Sequence, residues 1–258
     1  MLNPILCEFK KLKHYSILWA GILAVLFSVG YAVFQMALGG RQGASISFSI
    51  FYFCVVFNNF ALIFPAVSVL IGGFLINREY NDNTLKSILT VPVAMRKLLA
   101  AKLITTGIIV LLLSLLSFAA TMLSAAVLLH APDITPAATW KAFIQICGVA
   151  FMNYLAVMPL IAWFSRKPNQ FMAGVGVAFV YGFCGNFAAA RSIANFYPIT
   201  AGFGIVGYQS GEYFNPVIGC VVLALMVALT AGILYFPPIY DAVSARPKKR
   251  TRSAKSGS

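Results

Sequence analysis

The side chains of this chain that could do chemistry stand close together in one stretch, Arg78 to Lys102, reading REYNDNTLKSILTVPVAMRKLLAAK. It holds two of the six acidic residues, Glu79 and Asp82. It also holds five of the nineteen basic ones: Arg78, Lys86, Arg96, Lys97 and Lys102. Groups of this kind pair ions and dock on partners. They do not form a catalytic constellation. The chain has no G-x-x-x-x-G-K-[ST] loop to cradle ATP phosphates, no H-E-x-x-H and no G-x-S-x-G turn. His14 and His130 stand alone near span ends, so they cannot build a metal site. None of the five cysteines, Cys7, Cys54, Cys147, Cys184 and Cys220, forms a C-x-x-C pair; four lie in apolar runs and read as small buried hydrophobes.

The elements around that stretch are apolar. Of 258 residues, 60% are hydrophobic and 10% charged, where a soluble domain carries about 25% charged residues. The apolar residues come in runs longer than about 18, the length of a membrane-crossing helix. The expected fold is therefore all-α, a polytopic membrane protein with six spans. The runs place them at roughly 15–38, 50–77, 98–129, 142–164, 170–190 and 217–236. The third run exceeds the ~20 residues a crossing needs, so it should tilt or protrude, with Lys102 near its end reaching out to the interface. The N-terminal apolar run is too long for a signal peptide and lacks a cleavage site, so it reads as a retained anchor.

Between the spans, 81–84 (Asn-Asp-Asn-Thr) are helix-capping types. Leu85, Ile88 and Leu89 then share one face, and Pro92 ends the turn near Val91. The result is a short amphipathic helix between spans 2 and 3. Its apolar face would enter a protein groove with Lys86 at the rim, or lie in the lipid interface. Residues 1–13 read either as a second interfacial helix, with Leu2, Ile5, Leu6, Phe9 and Leu12 on one side, or as a frayed terminus. The loop 130–141 (HAPDITPAATWK) separates spans 3 and 4. Residues 191–216, rich in Gly and Pro, suit broken half-helices dipping back at the outer side, or a structured loop. Residues 1–240 form a single membrane domain, and 241–258 a basic disordered tail. That tail would hold anionic lipid or remain solvated.

The net charge of +13 belongs to topology and not to nucleic-acid binding. With six spans and both termini in the cytoplasm, sixteen of the nineteen Lys and Arg fall on the cytoplasmic side. Arg41, Lys141 and Arg191 are the exceptions. No acidic residue or Arg lies near the middle of a span, which weakens an ion-coupled carrier. Asn58, Asn59, Asn153 and Asn186 do lie in or near spans and suit hydrogen bonds between helices. Gly174, Ala178 and Gly182 have small-xxx-small spacing, which suits close helix packing or a dimer seam.

Arg78–Glu79–Tyr80, Asn83–Thr84–Leu85–Lys86, Leu89, Pro92, Arg96 and Lys102 resemble the signature of ABC-2-type exporter permeases, a pattern close to R-E-x-x-x-G-T-L followed by L-x-x-P, a basic residue and a Lys. Asn83 replaces the commoner Gly, which makes the stretch most similar to lantibiotic-immunity and bacitracin-resistance permeases. The resemblance covers the layout of the whole chain. It implies a coupling helix between spans 2 and 3 and broken helices between spans 5 and 6. It implies pairing with a second copy or a homologous permease. It also implies two copies of a separate ABC ATPase, which would bind ATP and Mg, so that this chain is not itself the enzyme. On that reading Glu79, Tyr80, Thr84, Leu85, Lys86, Ile88, Leu89 and Pro92 form the ATPase-coupling site, unless Glu79 only pairs with a local base. The expected role is export of a peptide antibiotic or lipid-like molecule from the bacterial cytoplasmic membrane. A peptide-binding scaffold or sensor, and an ion-coupled carrier or channel, are the rivals.

Overall fold

The computed structural model describes residues 16–41, 47–81, 95–131, 133–165, 170–209 and 214–235, with the side chains of 79–81 and 95–97 outside that description. Among these residues six helical stretches are long and apolar enough to cross a membrane. The N-terminal segment, the helix expected after Asn81 and the basic tail lie outside the described residues.

Helix α1 (Ile17–Arg41) is the first span. The second is composite: α2 (Phe48–Asn58), a π-turn (Asn59–Ile63) and α3 (Phe64–Asn81). Then come α4 (Met95–Val127), α5 (Pro136–Phe164) and α6 (Phe171–Ala189). A 3-10 turn (Ser192–Asn195) and a four-residue helix, α7 (Pro198–Ala201), lead to the last span, α8 (Pro216–Tyr235). The segment expected to hold broken half-helices or a structured loop thus carries two single turns.

The largest difference from the expected span boundaries is at the fourth span. The fourth span begins at Pro136, inside the expected loop, because Thr135 caps it. The Thr135 Oγ1 accepts from the Ala138 N–H at 3.2 Å, and Pro136 sits where its missing N–H costs nothing. At the other end of the same connection His130 takes a left-handed conformation (φ 46°), which lets the chain leave α4.

The second span is the axis of the bundle. Its apolar window is 72% buried, against 28% for α1, 28% for α6 and 22% for α8. Phe60, Phe64, Val67, Ile71 and Leu75 form its buried seam, against Leu103 and Val110 of α4 and Val157 and Ile161 of α5. Outward positions carry large apolar side chains, such as Trp19, Leu23 and Phe27 on α1 or Leu225 and Leu229 on α8. In a bilayer these face lipid, so the burial of the seam contributes packing and not solvent release. Cys54 and Cys147 are half-buried, whereas Cys184 and Cys220 are exposed on α6 and α8, so only the first pair approaches the expected core role.

Small residues set how closely the helices approach. Gly174, Ala178 and Gly182 are buried along one stripe of α6. A Cβ on Gly182 would stand 2.4 Å from the Ala61 carbonyl oxygen and 2.7 Å from Pro65, and one on Gly174 would meet Phe164 at 2.8 Å. The stripe therefore faces the second span and α5 of its own chain.

Candidate functional site

Three polar assemblies are built into this apolar bundle. The first lies where the second span gives way to the third. Helix α3 ends at Asn81 and α4 begins at Met95. Glu79 and Tyr80 lie on the last turn of α3, but their side chains are outside the description. Thr84, Leu85, Lys86, Ile88, Leu89 and Pro92 lie outside the described residues.

What is described is the frame that holds both ends of that stretch. Lys102 is 1% exposed, and its Nζ donates to the backbone carbonyl of Leu75 on α3. The expectation that Lys102 reaches out to the interface is therefore overturned. The reason is the closeness of the two helices. A Cβ on Gly72 would stand 3.2 Å from the Thr106 methyl, which brings the Leu75 carbonyl, one turn further along, within reach of the lysine. A carbonyl already used in a helix keeps a second lone pair for such a donor. Thr106 turns its own hydroxyl to the Lys102 carbonyl at 2.8 Å. Tyr154 of α5 donates to the next carbonyl, Leu103, at 2.5 Å, and its ring lies 3.0 Å from where a Cβ on Gly107 would be.

The second assembly lies near the midpoints of the spans. Ser28 of α1 donates to Asn59 Oδ1 at 2.7 Å, and Asn59 Nδ2 donates to Ser117 Oγ of α4 at 2.9 Å. Beside it, Asn58 Nδ2 donates to Gln35 Oε1 of α1 at 3.2 Å. Asn153 of α5 donates to the Phe60 carbonyl at 3.0 Å. The inter-helix role expected for Asn58, Asn59 and Asn153 is what these bonds perform. The sequence reading missed why they gather here. The Phe64 N–H bonds to the Asn59 carbonyl, five residues back. The corresponding donor for Phe60 would be residue 65, which is Pro65 and has no N–H. A buried carbonyl without a donor is costly in a membrane, and Asn153 supplies one. The signal was in the sequence: an Asn pair followed six residues on by a proline within one apolar run. Asn153 Oδ1 and Asn186 Oδ1 remain buried without a partner among the described residues.

The third assembly caps the opposite end of the bundle. Gly207 takes a positive φ of 60°, and its carbonyl accepts from Gln145 Nε2 of α5 at 2.6 Å. Tyr208 stacks on Phe53 at 4.9 Å between ring centres and donates to the Phe53 carbonyl at 3.3 Å. Phe203 meets Phe60 edge to face at 4.7 Å. Asn195 Oδ1 accepts from the Asn215 N–H at 2.7 Å, closing the segment on itself. Between α4 and the start of α5 lies an open groove lined by Phe118, Ile134, Pro136, Trp140 and Phe143 with Thr135 and Thr139.

Residues 4–185 match the family described as ABC-2 family transporter protein. The chain belongs to this family. A search of curated proteins returns no match to it. The ABC-2 membership makes the six-helix bundle the permease component of an ABC exporter, the membrane part that works with an ABC ATPase. That accounts for a chain without phosphate-cradling or nucleophile motifs.

Proposed function

We propose that this ABC-2 permease exports an amphipathic peptide antibiotic, of lantibiotic or bacitracin type, or a lipid-like molecule, as self-protection or resistance. The segment 81–91 is its coupling element, with Glu79, Tyr80, Thr84, Leu85, Lys86, Ile88, Leu89 and Pro92 as the contacts to the ATPase. Two ATPase subunits, carrying ATP and Mg, serve a pair of permeases. Both termini lie in the cytoplasm.

The observation that carries the coupling reading is the frame beneath the segment. Its two ends leave helices fixed to each other by the Lys102–Leu75 hydrogen bond and by close packing at Gly72. Motion delivered at either end of the segment would reach both helices together. The cargo class draws on the resemblance of 78–102 to peptide-immunity permeases.

The test is co-reconstitution of the chain with its ATPase in vesicles, with lantibiotic and bacitracin release measured against ATP hydrolysis. ATP-dependent removal of either peptide is the expected result, and Glu79→Gln should keep hydrolysis while losing transport. Export of neither peptide by an active complex rejects the peptide cargo. Normal transport by Glu79→Gln rejects its coupling role.

A further inference from the structure

We infer that Lys102 is a positioning residue that locks α3 and α4 into one rigid hairpin, so that both spans move together when the permease changes state. The inference rests on the coupling reading above.

Lysines are almost never fully buried unless paired, and Lys102 is among the largest fully buried side chains of the chain. Its stem crosses the α3–α4 contact and its amine ends on the Leu75 carbonyl. The bond is not isolated. Along α3, Gly72 precedes Leu75 by one turn; along α4, Thr106 follows Lys102 by one turn. Antiparallel helices in register would pair these residues, and Gly72 does pack on Thr106 and on Ile161 of α5. Thr105 and Thr106 turn their hydroxyls onto the Ala101 and Lys102 carbonyls, so both are satisfied within α4 itself. Tyr154 then pins the same stretch of α4 to α5 through Leu103. An amine at position 102 thus performs a task that an apolar side chain of equal length cannot. It fixes the sliding register of two helices, since a slide of one residue would carry the Leu75 carbonyl away from the amine.

A lysine kept only for local stability would, once replaced, lower the yield or melting temperature of the protein and leave the stoichiometry of transport alone. A lock makes a different prediction. Lys102→Met keeps the stem and removes the donor. In vesicles with the ATPase, it should reduce cargo transported per ATP hydrolysed at least fivefold while hydrolysis stays within twofold of wild type. Lys102→Arg, which keeps a donor, should recover most of that ratio. Independently of transport, spin labels on Leu70→Cys and Ile104→Cys, in a chain whose native cysteines are replaced, should give one narrow distance distribution while Lys102 is kept. In the Lys102→Met variant the distribution should broaden or split. A wild-type ratio together with an unchanged distance distribution in Lys102→Met overturns the lock. If Lys102→Met does not accumulate, Lys102→Leu, which also lacks a donor, is read in the same two assays, with the same outcomes deciding. If the wild-type chain itself shows no ATP-driven transport, the coupling reading has failed, and the label distances still decide whether Lys102 fixes the hairpin.

Discussion

Because Pro65 carries no N–H, the Phe60 carbonyl takes its hydrogen bond from Asn153, and the two residues form a matched pair across two spans. Asn153→Leu should therefore destabilise the folded protein by about 1–2 kcal/mol, the range for a lost hydrogen bond whose acceptor stays buried. In a Pro65→Ala background the same change should cost clearly less, because residue 65 can then donate. Thermal unfolding of the four variants in one detergent measures this cycle, and simple additivity contradicts the pairing. Glycines make a second residue-scale test. Gly182→Ala places a methyl 2.4 Å from a backbone carbonyl and should lower the melting temperature clearly, by about 1–3 kcal/mol of strain. Gly176 has nothing within 4 Å of an added Cβ, so Gly176→Ala should be neutral or slightly stabilising.

At the scale of elements, hydropathy located every span among the described residues, since twenty or more apolar residues leave few alternatives to a crossing helix. It failed where a single side chain decides the outcome. The start of α5 depends on Thr135 capping before Pro136, a local signal within a stretch that reads as a loop by composition. The π-turn depends on where Pro65 falls relative to the Phe60 carbonyl one turn before it. Lys102 reads as a snorkelling lysine unless one knows that Gly72 lets α4 come close to α3. The asparagines were legible as inter-helix partners because a buried amide has few other options. Their partners Ser28, Ser117 and Gln35 were not, since partner choice follows helix rotation. The π-turn also makes an element-scale prediction. Pro65→Ala should let the second span close into a regular helix and rotate α3 relative to α2. Pairs of labels on the two sides of the turn would show a changed distance. An unchanged distance would mean that Asn59 and its serines, and not the proline, impose the turn.

At the scale of the molecule, the frame at one end and the aromatic cap at the other are joined by the second span, the most buried of the six. The polar layer sits between them and ties α1, α4 and α5 to that axis. This arrangement suits a permease that passes motion from one end of the bundle to the other. It predicts the orientation as well: an aqueous thiol reagent should reach a cysteine at Lys141 from outside intact cells, and one at Lys86 only after the membrane is opened. The reverse pattern would invert the topology. Docking of an ABC ATPase on 81–91 can be tested by purifying this chain from native membranes in mild detergent and assaying what comes with it. An ATP-hydrolysing subunit should co-purify, and Leu85→Asp with Leu89→Asp should release it without loss of the permease. A chain that purifies alone, or an ATPase that stays bound to the double variant, would contradict it.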